Sequence, residues 1–237
     1  MRILITGGSR GIGRALVERF STPENKVAFI YRSSHDSAKA LSEATGAVAI
    51  CADISRPEEA KRAVEEAISA LSGIDVLVNN AGISQIKLFT DITDEDWQTM
   101  VDTNLSGVFY VTRAVLHGMV SQKHGRIINI GSMWGKTGAS CEVHYSSTKA
   151  AIRGMTMALA KEVAPSGITV NAVEPGVIMT DMCASFDEDT LEALREETPV
   201  GRFGTPEDVS ALVEFLASDN ASFITGQIIG VDGGFAV

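Results

Sequence analysis

The sequence predicts an α/β fold, a single doubly wound domain whose parallel sheet is covered by helices on both faces. Three observations predict it. Short β-branched runs bounded by Gly, Asn or Asp recur along the chain. They are nearly continuous in hydrophobicity, as strands buried on both faces must be. Stretches with helical spacing alternate with them, and that rhythm is the signature of a parallel sheet wound with crossover helices.

Taken in order, the predicted strands are Ile3 to Thr6, Val27 to Tyr31, Val48 to Asp53, Val76 to Asn79, Arg126 to Ile130, Ile168 to Val173 and Gln227 to Val231. After the first strand, Ile12, Leu16 and Phe20 stand four apart and mark one helical face. Pro57 opens a helix whose Ala60, Val64, Ala67, Ile68 and Leu71 share a face, and Pro206 opens another carrying Val209, Leu212, Val213 and Leu216. Long helices are expected from Asp94 to Met119 and from Tyr145 to Val163. The acidic segment Cys183 to Thr205, with a short helix at Asp187 to Glu197, is expected to be a mobile lid inserted over a site. Residues 1–237 thus form one domain with a substrate-loop insertion at about 183–205.

Composition bounds the function. With 45% hydrophobic and 21% charged residues, the 237-residue chain can bury one sizeable core. A net charge of -10 repels a phosphate backbone, and no basic stripe with interleaved aromatics stands out, so neither nucleic acid nor membrane is an expected partner. No run approaches the roughly 18 to 20 apolar residues that span a bilayer. The start does not read as a secretion signal, because Thr6-Gly7-Gly8 interrupts the first apolar run. Cys51, Cys141 and Cys183 are scattered and odd in number, which suggests reduced thiols. A cytoplasmic protein is expected.

Gly8, Gly11 and Gly13 fall in the turn between the first strand and its helix. Residues without Cβ atoms let a pyrophosphate approach the backbone, where amides at a helix N-terminus point at it. The spacing Thr-Gly-x-x-x-Gly-x-Gly departs from the more familiar G-x-G-x-x-G, but its place between strand and helix favours dinucleotide binding. At the end of the second strand, where a carboxylate would bond the ribose of NAD, Tyr31-Arg32-Ser33-Ser34 stands instead. Arg32 and Arg10 can reach a 2'-phosphate and Ser33 can donate to it, so NADPH is the expected cofactor.

Tyr145-Ser-Ser-Thr-Lys149 sets a phenol and an ammonium one helical turn apart. A nearby cation favours phenolate, so the pair is expected to act as a tunable acid with the tyrosine's pKa lowered. Ser132, just past the fifth strand, can bond a substrate carbonyl.

These residues carry a family resemblance. From Thr6-Gly7-x-x-x-Gly11-x-Gly13 through Asn79-Asn80-Ala81-Gly82, Asn104, Ser132, Tyr145-x-x-x-Lys149 and Pro175-Gly176-x-Ile178-x-Thr180 to Val231-Asp232-Gly233-Gly234, the chain resembles the short-chain dehydrogenases/reductases. The resemblance implies Tyr145 as general acid/base, Ser132 polarising the carbonyl, Lys149 holding the nicotinamide ribose and Asn104 anchoring a relay water. It also implies a cofactor site of Gly7, Ser9, Arg10, Gly11, Ile12, Gly13, Arg32, Ser33, Asp53, Ile54, Asn79, Ala81, Gly82, Tyr145, Lys149, Pro175, Gly176, Ile178 and Thr180. Hydride then passes between nicotinamide and a carbonyl carbon. Two positions depart from the family pattern: Gly131 stands where many relatives have serine, and Glu174 where a small residue is common. A homotetramer built through the two long helices and the last strand is likewise implied. The expected sheet order is 3-2-1-4-5-6-7, with cofactor across the carboxyl ends of the strands.

Within the family, Ser9-Arg10-Gly11-Ile12-Gly13 and Gly201-Arg202-Phe203-Gly204-Thr205-Pro206-Glu207 resemble bacterial 3-oxoacyl-acyl-carrier-protein reductases, which implies a ketone on a carrier protein or small molecule as substrate. Ser132-Met133-Trp134-Gly135 and Gly138 to Val143 resemble instead the reductases that finish the 5-aminopentanone modification of elongation factor P. A non-catalytic NADPH sensor is the alternative from another class. Cys141 with His144 offers too few ligands for a metal, and Ser132 lacks the G-x-S-x-G elbow of a hydrolase. No metal site is expected.

Overall fold

Seven strands pair side by side in one parallel sheet, in the order β3-β2-β1-β4-β5-β6-β7. They are β1 Arg2–Thr6, β2 Lys26–Tyr31, β3 Val48–Cys51, β4 Val76–Asn79, β5 Gly125–Ile130, β6 Ile168–Pro175 and β7 Ile228–Val231. The computed structural model describes residues 1–180 and 187–237. The start of the expected lid, Cys183 to Phe186, and Met182 before it lie outside the described residues.

Strict alternation along each strand sends its apolar side chains to two separate cores, which is why the strands read as continuous apolar runs. Ile3, Ile5, Phe29, Val76, Val78 and Ile128 meet helices α1 (Gly11–Phe20), α2 (His35–Thr45) and α9 (Pro206–Ala217) on one side. Leu4, Ile30, Leu77, Ile127 and Val170 meet α3 (Pro57–Leu71), α5 (Gly107–Gln122) and α7 (Val143–Val163) on the other. The shorter helices are α4 (Asp94–Val101), α6 (Trp134–Thr137) and α8 (Glu188–Glu196).

Most boundaries shift by a residue or two, and three of the differences have a clear local reason or bear on the site. Asp53 does not extend β3, because its Oδ1 accepts from the Ser55 amide at 3.0 Å and the Ser55 hydroxyl at 2.7 Å, which turns the chain out of the sheet. Strand β6 runs two residues further, to Pro175, because Glu174 and Pro175 pair with Gly230 and Val231. The expected helix Asp94 to Met119 is interrupted by a π-helical turn, Asp102–Ser106, between α4 and α5. Asn104 sits in that turn, and such single wide turns often mark functional sites.

The sheet reverses direction of growth at β1, which pairs with β2 on one edge and β4 on the other. The crevice above the carboxyl ends of these strands is where ligands bind in open α/β sheets. Thr6 ties it together: its Oγ1 accepts from the amides of Asn80 and Ala81, both at 3.0 Å. The Asn80 side chain returns two bonds, to the carbonyls of Thr6 and Gly7 at 3.1 Å. Helix α1 is pressed against this junction. A Cβ at Gly13 would lie 2.0 Å from the Gly7 carbonyl oxygen and 2.6 Å from the Asn80 amide nitrogen. Gly13→Ala therefore forces the helix off the turn, and an unfolding titration should show a loss of about 2–3 kcal/mol.

Candidate active site

The glycine turn is held by backbone conformations that favour glycine. Gly7 and Gly11 have φ of 68° and 52°, values costly for residues with a Cβ. Both Gly7 and Gly8 donate to the Ile30 carbonyl, so the turn is pinned to β2. Arg10 is the extended N-cap of α1, yet no side chain caps this helix and no acid stands in its first turn. Helices α4 and α9, in contrast, are closed by capping boxes from Thr93 with Asp96 and from Thr205 with Asp208. The α1 N-terminus thus keeps amide donors facing the crevice. Ser9 is buried beside it, Ile12 packs against the core, and Thr180 stands opposite, its Cγ2 3.4 Å from where a Gly11 Cβ would be.

At the end of β2, Arg32 and Ser33 are exposed, but the arginine is not alone. Asp53 approaches it to 3.8 Å, so a carboxylate does stand at this strand end, supplied by the turn after β3 and not by β2 itself. Burial raises the Asp53 carboxyl and is outweighed by the Ser55 bonds and the Arg32 and Arg56 charges, which leave it below its ordinary value. Ile54 is buried against α5, 2.9 Å from where a Gly107 Cβ would sit.

At the end of β4, Asn79 and Asn80 turn their side chains to different neighbours. Asn79 is buried, and its side chain donates to Thr112 and Asn129 at 2.9 Å each. Asn129 in turn donates to Thr156 at 2.9 Å. This ladder joins β4 and β5 to α5 and α7 inside the core, so the Asn79 side chain does not line the crevice. Its neighbour Asn80, not singled out before, is the one bonded to the glycine turn. The doublet of asparagines at the end of β4 was the available signal, since successive side chains of an extended chain point to opposite sides.

Gly82 gathers two of the expected catalytic residues. A Cβ there would lie 3.3 Å from Asn104 Oδ1 and 3.6 Å from Lys149 Nζ. Asn104 Oδ1 accepts from the Ile83 amide at 2.8 Å, and its Nδ2 donates to the Ile83 carbonyl at 2.8 Å and to Thr148 at 3.3 Å. One buried amide from the π turn thereby fixes the chain after β4 against α7. Lys149 is 5% exposed; its Nζ donates to the Ile130 carbonyl at 2.9 Å and lies 5.6 Å from the Tyr145 ring centroid.

Ser132 follows β5, buried, with its Oγ accepting from the Trp134 amide at 3.2 Å. The electrostatics of the phenol reverse the sequence expectation. Burial pushes Tyr145 up to about 12, against a lowering hydrogen bond from Ser132, and Glu142 raises it further. Burial likewise pushes Lys149 down to about 8, opposed by the charge of Glu174. The ammonium lies over the ring and spends a hydrogen bond on Ile130, so it does not outweigh the loss of water around the phenol.

Beyond β6, the Gly176 amide donates to Val231 at 3.0 Å, and a Cβ at Gly176 would come within 2.7 Å of the Asp232 Cα. Pro175 ends β6, and buried Ile178 bridges to Gly204. The Met179 amide also bonds the Gly204 carbonyl at 3.0 Å. Trp134 stacks edge-on against Phe235 at 5.5 Å, and Lys136 donates to the Ala236 carbonyl, so the C-terminal tail closes over α6. His144 is buried and contacts Gln85 at 2.9 Å. Among the described residues no group of three or more His, Cys, Asp or Glu is placed to hold a metal ion, and no helix is long and apolar enough to cross a membrane.

Residues 7–236 match the family model described as Enoyl-(Acyl carrier protein) reductase. The chain is 44% identical over 237 residues to the 3-oxoacyl-(acyl-carrier-protein) reductase FabG of Aquifex aeolicus, covering 98% of this chain and 95% of the relative. It is 42% identical over 232 residues to the acetoacetyl-CoA reductase of Shinella zoogloeoides, covering 98% and 96%. A crystal structure of a short-chain dehydrogenase/reductase (glucose/ribitol dehydrogenase) from Brucella melitensis superposes with a TM-score of 0.92 at 33% identity, over 99% of this chain and 96% of that one. With the sheet order, the tyrosine and lysine one turn apart and the glycine turn all in place, the chain belongs to the short-chain dehydrogenase/reductase family of oxidoreductases.

Proposed function

We propose that this protein is an NADPH-dependent ketoreductase that reduces a 3-oxoacyl group carried on acyl carrier protein. The observation that carries the reading is the cluster of Ser132, Tyr145, Lys149 and Asn104 at the carboxyl ends of β4 and β5, beside an uncapped α1 N-terminus. Relatives named for 3-oxoacyl-carrier and acetoacetyl-CoA reduction support the substrate class.

The residues present fit a dinucleotide. The open amides and lone N-cap Arg10 of α1 suit a pyrophosphate, and Gly7 and Gly11 permit its close approach. Thr180 and Ile178 face the nicotinamide end in this reading, Pro175 and Gly176 shape the wall behind it, and Ala81 and Gly82 form the floor. Asp53 and Ile54 flank the adenine. Arg32, Ser33 and Arg10 take a 2'-phosphate, with Asp53 steering the Arg32 guanidinium at 3.8 Å. When bound, the reduced nicotinamide would supply a hydride, a proton with two electrons, to the carbonyl carbon.

The chain's own groups handle the oxygen. Ser132 lowers the Tyr145 phenol from close by, so in this reading a carbonyl oxygen placed between them meets two hydroxyl donors. With its pKa pushed up to about 12, the phenol is fully protonated at neutral pH and holds the proton that the oxygen needs as negative charge develops. Lys149 sits under the ring to stabilise the phenolate left behind and to bond the ribose. The space over Gly82 lies between Asn104 Oδ1 and Lys149 Nζ and suits the relay water that restores the proton. Exposed Phe109 on α5 and Met157 on α7, 46% and 44% accessible, support a homotetramer assembled through these helices.

Ser132 to Gly135 and Gly138 to Val143 carried the elongation factor P expectation; the relatives named for 3-oxoacyl-carrier and acetoacetyl-CoA reduction favour the acyl substrate. NADPH consumption compared on an acetoacetyl thioester and on elongation factor P bearing 5-aminopentanone tests the choice; faster turnover of the protein ketone would reject it. Binding without turnover of any ketone would favour a sensor. Tyr145→Phe should lower kcat by roughly a thousandfold while the cofactor Kd changes less than about twofold, since only the proton donor is lost. Arg32→Asp should shift the NADPH/NADH ratio of kcat/KM toward NADH by roughly tenfold or more, because a carboxylate replaces the phosphate's partner.

A further inference from the structure

The two departures from the family pattern meet in space. Strands β5 and β6 pair Ile130 with Val173, and the Gly131 amide donates to the Val173 carbonyl at 2.7 Å. The next cross-strand neighbours are Gly131 and Glu174. A Cβ at Gly131 would stand 2.9 Å from Glu174 Cγ and 3.4 Å from its Oε1. The missing side chain on β5 is therefore the room into which the long side chain on β6 lies.

That carboxyl is 4% exposed. Its Oε2 is bonded to Arg153 of α7 at 2.5 Å, whereas Oε1 is buried without a hydrogen-bond partner. A buried carboxylate with a bare oxygen is costly, so its retention asks for a role. The Gly131 peptide begins at Ile130, whose carbonyl takes the hydrogen bond from Lys149 Nζ. Glu174 thus lies against the glycine that directly follows the carbonyl bonded by the lysine.

Resting on the ketoreductase reading, we propose that Glu174 is a positioning residue: seated in the space Gly131 leaves, its buried carboxylate holds the Lys149 ammonium charged beneath Tyr145. The charged groups facing Glu174 are Arg153 and Lys149 from α7, Lys136 from α6 and Asp232 after β7; β5 presents only the glycine. Burial raises the Glu174 carboxyl, Arg153 and Lys136 lower it, and Asp232 raises it. Arg153 is 27% exposed at its side chain against 5% for Glu174, so water screens its positive field more than it screens the carboxylate. The pair is therefore not electrically silent at the lysine.

The test is an NMR titration of full-length protein labelled at the lysine ε-carbon, with Lys149 assigned by its loss in Lys149→Met, beside the pH profile of kcat/KM. In the wild type the Lys149 midpoint should fall near 8. Removing a neighbouring negative charge makes the ammonium less favourable, so Glu174→Gln should lower that midpoint by roughly one pH unit and move the alkaline limb of the activity profile the same way. Glu174→Asp should retain most of the wild-type value. If Glu174→Gln folds poorly, Gly131→Ser with Glu174→Ala fills the space from the other strand without the charge and should show the same downward shift. Titration curves of either variant that superimpose on the wild type would overturn the proposal. The NMR arm needs neither cofactor nor substrate, so a wild type inactive on every ketone would reject the ketoreductase reading and leave this measurement to decide the carboxylate's role.

Discussion

Lys149 carries a charged nitrogen into a nearly dry site, and much of the surrounding architecture answers that constraint. Its ammonium is bonded by the last carbonyl of β5, flanked by Asn104 across the glycine at position 82, and capped by the ring of Tyr145. A cation in such surroundings is costly unless it is bonded and paired. The π turn in the helix after β4 presents Asn104 inward, and Gly82 leaves room for the two groups to approach.

The same constraint explains why burial, and not the lysine, dominates the phenol. Removing water disfavours phenolate and ammonium alike, so the tyrosine moves up while the lysine moves down. Under the proposed ketoreductase reading, a raised value suits a phenol that holds its proton until a carbonyl oxygen draws it.

Around this centre the sheet supplies rigidity. The asparagine ladder through Asn79 and Asn129 reaches Thr112 on α5 and Thr156 on α7, so the helices that carry Asn104 and Lys149 are referenced to the same two strands. The Thr6–Asn80 bonds reference the glycine turn to β4 in the same manner. Buried hydrogen bonds in the asparagine ladder and part-buried ones at Thr6 and Asn80 make these supports rigid.

Much of this was legible in the residues themselves. Continuous apolar runs separated by helical periods specify a parallel sheet, because only strands covered on both faces need be apolar at every position. The spacing of Gly7, Gly11 and Gly13 and of Tyr145 and Lys149 follows from local geometry, a turn and one helical repeat, which neighbouring residues alone can encode. Tertiary structure decided the rest. Which of Asn79 and Asn80 faces the crevice, that Asp53 reaches back to Arg32, that Asn104 sits in a π turn, and that Gly131 and Glu174 share one volume all depend on strands brought together from distant parts of the chain. The sign of the tyrosine's shift belongs with them: a four-residue spacing encodes the nearness of a cation, whereas the loss of water is a property of everything packed around it.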